Sequence, residues 1–184
     1  MNSNYRSGLR LGIVGGGQLG RMFIQEALNF DLSVHTLDPD ENAPCAGISD
    51  SFTVGNLTDF DTVYNFGKDK DVLTIEIEHV NTEALHQLQK EGVTIHPAPA
   101  QLDIIKDKGL QKQFYAEHRI PTAPFALYGN EEAVRKAVIS GSRTLPFVQK
   151  SRTAGYDGRG VSIIRTEADL KDKLLPGPCM IEDL

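Results

Sequence analysis

The stretch Leu145-Pro146-Phe147-Val148-Gln149-Lys150-Ser151-Arg152-Thr153-Ala154-Gly155-Tyr156-Asp157-Gly158-Arg159-Gly160-Val161-Ser162-Ile163-Ile164 sets two apolar runs on either side of a glycine-rich segment. Leu145 to Val148 and Val161 to Ile164 read as short strands, and the segment between them as their connecting loop. Gly155, Gly158 and Gly160 let the backbone turn sharply and come close to a ligand. Backbone N–H groups in such a loop form a concavity for anions, phosphate above all. Lys150, Arg152 and Arg159 add positive charge within reach. The segment is not G-x-x-x-x-G-K-[ST], and it joins strands rather than opening a helix. The plain alternative is a solvated hairpin, but a hairpin asks for one or two glycines, not three with three cations.

Toward the N-terminus, Leu11 to Val14 is a short apolar run, read as a buried parallel strand that leads straight into Gly15-Gly16-Gly17-Gln18-Leu19-Gly20. A helix is expected from Arg21 to Phe30, with Met22, Phe23, Ala27 and Leu28 on its apolar face. Leu32 to Leu37 then gives a second strand, ending at Asp38. G-x-G-x-x-G followed by an acid about 20 residues on is the dinucleotide fingerprint and invites a nicotinamide-binding reading. A doubly wound sheet needs the same turn for close packing, however, and a helix N-terminus will hold any phosphate. Asp38 reads equally as a turn-former or a ligand.

Further strands are expected at Phe52 to Val54, Val72 to Ile77 and Val93 to Ile95, with helices from Asp59 to Gly67 and after Asn81, an N-cap residue. Glu76 and Glu78 fall at a strand's carboxyl end, where open parallel sheets gather ligands, and suit a ribose hydroxyl or an amine. They read as well as exposed loop charges. Pro97-Ala98-Pro99 marks a boundary. The expected architecture is α/β: a Rossmann-like domain with a parallel sheet over residues 1–98, then a smaller α+β domain over 99–184. The second begins with two short helices carrying Lys106, Lys108 and Lys112. A strand at Phe125 to Tyr128 follows, then a helix capped by Asn130, the glycine-loop hairpin, a helix from Thr166, and a final strand at Cys179 to Glu182.

The 184 residues are 40% hydrophobic and 24% charged, an ordinary globular composition. The net charge of −6 gives no global footprint for nucleic acid, so any phosphate site is a local basic patch. No apolar run reaches the roughly 18 residues of a membrane span, and the N-terminus lacks a signal core. Cys45 and Cys179 lie far apart without metal spacing, which points to reduced, cytoplasmic cysteines.

Lys150-x-Arg152-x-x-Gly155-Tyr156-Asp157-Gly158-Arg159-Gly160 resembles the lysine and glycine-rich loop of ATP-grasp ligases. With Gly15-Gly16-Gly17-Gln18-Leu19-Gly20-Arg21-Met22, Asp38-Pro39, Thr74-Ile75-Glu76-Ile77-Glu78 and Lys108 to Gln113, the resemblance narrows to the 5-(carboxyamino)imidazole ribonucleotide synthases and covers nearly the whole chain. It implies a pre-ATP-grasp domain followed by the small ATP-grasp subdomain. It also implies ATP and Mg²⁺ as cofactors, aminoimidazole ribonucleotide and bicarbonate as substrates, carboxyphosphate as intermediate, and a homodimer in the cytoplasm.

By the same resemblance, Lys150, Asp157 and Arg159 are catalytic. Lys108, Lys150, the loop Gly155, Tyr156, Asp157, Gly158, Arg159 and Gly160, then Val161, Glu182, Asp183 and Leu184 hold ATP. Gln18, Leu19, Glu76, Tyr156, Asp157 and Arg159 hold the ribonucleotide. Metal ligands are expected in a C-terminal part that this chain lacks, and the chain alone is expected to be inactive. Two further departures are Ala154, where many members have glycine, and Lys108, which replaces a common arginine and forfeits bidentate contact. The competing readings are an NAD(P)-binding dehydrogenase domain, a non-catalytic nucleotide-binding module, and a sibling ligase acting on glycinamide ribonucleotide.

Overall fold

Five parallel strands, β1 (Arg10–Val14), β2 (Ser33–Asp38), β3 (Ser51–Val54), β4 (Val72–Ile75) and β5 (Thr94–His96), form one sheet in the order β3-β2-β1-β4-β5. They belong to a computed structural model that describes residues 8–153 and 160–184. The chain divides into two compact units, up to Asp103 and from Ile104 onward. In the first, α1 (Gln18–Ala27), α2 (Phe60–Gly67) and α3 (Thr82–Lys90) follow β1, β3 and β4, and α4 (Pro99–Lys106) follows β5 and carries the chain past the division at Asp103.

Strand alternation sorts the core into two layers. Leu11 and Ile13 of β1 pack with Ile24 and Ala27 of α1 and with Cys45. Val14 packs on the other side with Leu37, Leu73, and the Val63, Phe66, Leu85 and Leu88 side chains of α2 and α3. Gly12 faces this second layer, where a Cβ would lie 2.5 Å from Leu73 Cδ2. The doubly wound α/β architecture expected from the sequence is therefore present.

Two details differ from expectation. Helix α1 starts three residues early and buries Gly20, Ile24 and Ala27, while Met22, Phe23 and Leu28 are exposed. The reason is close approach: Gly20 sits against Cys45, where a Cβ would lie 3.0 Å from its Sγ, so the helix turns its Gly20 side inward. Strand β4 stops at Ile75, not Ile77. After Glu76 N–H bonds Val14 C=O at 2.8 Å, the chain bends over Gly15. Gly15 has φ +97°, and a Cβ there would lie 2.8 Å from Ile77 Cγ2.

The second unit contains α5 (Lys108–Glu117), β6 (Phe125–Tyr128), α6 (Glu131–Ile139), β7 (Phe147–Ser151), β8 (Val161–Ile164), α7 (Asp169–Asp172) and β9 (Cys179–Asp183). Its strands form an antiparallel sheet, β6-β9-β7-β8. Phe147, Ile164, Cys179 and Ile181 pack on one face with Val134 of α6 and Leu170 of α7. Asn130 caps α6 as expected, accepting from Ala133 N–H at 2.9 Å. Helix α7 is a single turn beginning at Asp169, not Thr166, because the Asp169 carboxylate is drawn back onto the N–H groups of Arg165 and Thr166. Among the described residues no helix is long and apolar enough to cross a membrane.

Gln149 in β7 is fully buried, and its amide makes a reciprocal pair with the Leu175 backbone: Nε2 donates to Leu175 C=O at 2.9 Å and Oε1 accepts from Leu175 N–H at 2.8 Å. Gln149→Leu keeps the volume but leaves both backbone groups without partners. It should lower stability by about 2–4 kcal/mol in chemical denaturation.

Candidate functional site

In the first unit, β1 and β4 are adjacent although not consecutive, so the strand order reverses there and a crevice opens at their carboxyl ends. Gly15 to Gly17 and Glu76 lie at this point. Asp38, at the end of β2, accepts from Gly16 N–H at 2.6 Å and from Asp40 N–H at 2.8 Å. It is therefore a turn-former that ties down the glycine turn. Glu76 stands against Gly17, where a Cβ would lie 2.4 Å from Glu76 Oε1. A pyrophosphate on this turn would meet two carboxylates, which disfavours the dinucleotide reading on charge alone. Gln18 and Leu19 are exposed in the first turn of α1. Leu19 and Glu76 line a hollow of about 210 Å³ together with Ile13, Gly20, Phe23, Thr74 and Ile75. Of the expected substrate residues, Leu19 and Glu76 thus share one cavity, with Gln18 next to Leu19 in the chain. Glu78 is half-buried beyond the strand end.

In the second unit, directly paired residues share a face of the antiparallel sheet. Val148 pairs with Glu182 and Ile163, and Lys150 with Met180 and Val161. Phe125 and Leu127 of β6 fall on the same face, opposite Glu182 and Met180. This is the face turned away from the Phe147–Ile181 core, and Val161 and Ile163 are exposed on it. The surface is largely apolar, exposed at β8 and covered at Met180 and Glu182, and its charges are those of Lys150 and Glu182 with Lys112 of α5 against them. Lys150 lies inside β7, not in the loop after it, so a strand holds its backbone. Ser151 N–H donates to Gly160 C=O at 2.9 Å and closes the stem of the hairpin, where Gly160 has φ +72°. Gly155, Tyr156, Asp157, Gly158 and Arg159 lie outside the described residues.

The Glu182 carboxylate is buried and shared: Lys150 Nζ contacts Oε2 and Lys112 Nζ contacts Oε1. Burial pushes its carboxyl up, but the hydrogen bonds from the two lysines outweigh this and hold it below the usual carboxylate range. Asp183 is exposed at the strand end and pairs with Arg143 at 2.6 Å. Leu184 is exposed.

Arg152, expected as a phosphate cation, is engaged elsewhere. Its Nε and one terminal nitrogen donate to the two Asp107 oxygens at 2.8 and 2.6 Å. Asp107 also caps α5, accepting from Gly109 N–H at 2.7 Å and Leu110 N–H at 3.2 Å. Lys108 N–H donates to Arg152 C=O at 3.0 Å, so this bond fixes the backbone of Lys108 beside the end of β7. Sequence reasoning missed Lys112, Val148 and Ile163 as members of this surface. The signals were there: Lys112 is one helical turn beyond Lys108, and Ile163 is two strand residues beyond Val161.

Burial pushes the Asp107 carboxyl up, yet its hydrogen bonds from Arg152 and the helix N–H groups prevail, and the net shift is downward. A carboxyl lowered in the folded state contributes stability above its ordinary range, and that contribution is lost as pH falls through the lowered folded value. Asp107→Asn keeps a capping side chain but removes the ion pair. Denaturation at pH 7 should show it about 1–3 kcal/mol less stable than the parent, with the gap closing as pH falls through the acidic carboxylate range.

A family model of the ribonucleotide synthetase pre-ATP-grasp domain matches residues 9–106, and one of the ATP-grasp domain matches residues 113–182. The chain is 38% identical over 160 residues to the chloroplastic phosphoribosylaminoimidazole carboxylase of Vigna aconitifolia, covering 87% of this chain and 28% of that protein. It is 31% identical over 170 residues to N5-carboxyaminoimidazole ribonucleotide synthase of Staphylococcus epidermidis, covering 92% of this chain and 44% of that protein. The crystal structure of N5-carboxyaminoimidazole synthase from Aspergillus clavatus, in complex with ADP and 5-aminoimidazole ribonucleotide, aligns with a TM-score of 0.83 at 30% identity, over 97% of this chain and 47% of that one. The chain therefore spans less than half the length of each of these relatives. With more than half of its residues inside the first match, it belongs to the ribonucleotide synthetase pre-ATP-grasp family, and an ATP-grasp region follows.

Proposed function

We propose that this chain is part of an ATP-dependent carbon–nitrogen ligase that carboxylates aminoimidazole ribonucleotide with bicarbonate in purine biosynthesis. The observation that carries the reading is the apolar sheet face of the second unit, exposed at Val161 and Ile163, with Lys150 set into it. Exposed apolar side chains suit a purine ring, and a lysine on a rigid strand suits its phosphates. The family membership and the A. clavatus relative's complex with ADP and 5-aminoimidazole ribonucleotide support it.

ATP supplies the phosphoryl group that activates bicarbonate for attack by the amine of the ribonucleotide. The residues of this chain bind, orient and shield. Lys150 holds α- and β-phosphate oxygens, and Lys108 adds a second cation. The role of binding the β- and γ-phosphates and shielding a reactive acyl phosphate from water is assigned to Gly155 to Gly160. Val161 lies under the purine, and the backbone of Glu182, Asp183 and Leu184 reads its edge. The roles toward the acceptor are assigned to Tyr156, Asp157 and Arg159, with Asp157 proposed for its amine. Gln18, Leu19 and Glu76 hold the ribonucleotide. Mg²⁺ accompanies ATP in this proposal; among the described residues there is no group of three or more His, Cys, Asp or Glu that could hold a metal ion. A cytoplasmic homodimer, with no nucleic-acid or membrane partner, completes the proposal.

The test is phosphate release by the full natural chain with ATP–Mg²⁺, bicarbonate and aminoimidazole ribonucleotide. Release should require both co-substrates and fall about 100-fold or more in Lys150→Ala. Release that ignores the ribonucleotide, or survives the substitution, contradicts the reading.

A further inference from the structure

We infer that Lys112 is a positioning residue: it keeps the buried Glu182 carboxylate paired so that Lys150 is released to bind an anionic nucleotide. The inference rests on the nucleotide reading above and concerns how the site holds its charge.

Glu182 retains 9% side-chain exposure, Lys112 13% and Lys150 31%. One carboxylate thus carries two ammonium groups, one on each oxygen. A single lysine would neutralise it, so the cluster holds one surplus positive charge. The two lysines are not equivalent. Lys112 is the more buried, and its Nζ also donates to Thr122 Oγ1. It projects from α5, a helix whose start is clamped to β7 through Asp107 and Arg152. Lys150 is the more exposed and sits on the open apolar face beside Val161. Lys112 is therefore the resident partner of Glu182, and Lys150 the one free to move.

With Lys112 present, Glu182 and Lys112 cancel, and Lys150 offers its charge to a phosphate. Without it, Lys150 and Glu182 cancel, and the face presents no net positive charge. A phosphate that drew Lys150 away would then leave a buried carboxylate without a partner, an expensive state. Lys112 acts through Glu182 and does not need to touch the ligand.

The measurement is ADP affinity by titration calorimetry on the full natural chain, for the parent, Lys112→Met, Glu182→Gln and the double variant, with circular dichroism to verify folding. Lys112→Met should weaken ADP about tenfold in the parent background. With Glu182→Gln already in place, it should change affinity less than about twofold, because no carboxylate remains to be held. An equal loss in both backgrounds means that Lys112 contacts the nucleotide directly and overturns the inference. If Lys112→Met does not fold, Glu182→Gln alone decides: freeing Lys150 should strengthen ADP binding, and unchanged or weaker binding overturns the inference. A folded parent that fails to bind ADP overturns the nucleotide reading, and this inference with it; a parent that binds ADP but loses affinity equally in both backgrounds overturns this inference alone.

Discussion

The two-pronged ion pair between Asp107 and Arg152 joins parts of the chain 45 residues apart and sets the start of the helix that carries Lys108 and Lys112 beside the strand that carries Lys150. Asp107 is at once the cap of α5 and the partner of an arginine at the end of β7. The start of the helix is thereby referenced to the strand that holds Lys150. Lys108, bonded through its own N–H to Arg152, takes its place from the same clamp, and Lys112 follows one turn later. Partly buried bidentate pairs of this kind fix orientation as well as energy. An arginine that reads as a phosphate ligand serves instead to place the lysines.

The first unit shows how one glycine turn serves different chemistries. Its spacing fits a dinucleotide fingerprint, but the groups around it decide what it can hold. Asp38 spends its carboxylate on Gly16 and Asp40, and Glu76 closes over Gly17. The turn is therefore electronegative where a pyrophosphate would need the reverse. A carboxylate next to an apolar hollow formed by Leu19, Phe23 and Ile75 suits a ligand presenting an amine or hydroxyl on a flat body.

Much of the fold was legible because its signals are local. Buried parallel strands appear as unbroken apolar runs such as Leu11 to Val14, and caps such as Asn81 and Asn130 announce helices from one residue. The phase of α1 was not legible. Its sequence supports two apolar faces, and the choice depends on Gly20 meeting Cys45, a contact across 25 positions of chain. The extent of β4 was hidden by the fold-back of Ile77 over Gly15. At the candidate site, Lys150 stands in the quoted motif, and the helical spacing from Lys108 offers Lys112. The redirection of Arg152 was not legible, since it follows from a pairing with Asp107 45 residues away that no local pattern encodes.

The proposed function divides the labour, with nucleotide on the antiparallel sheet face and not on the glycine turn. Titrating ADP into isotopically labelled protein and following backbone amide resonances tests it most directly. The account predicts shifts concentrated at Val148, Lys150, Val161, Ile163, Asp183 and Leu184, with Gly15 to Gly17 unmoved. Shifts centred on Gly15 to Gly20, with the sheet face silent, would contradict it and return the first unit to dinucleotide chemistry.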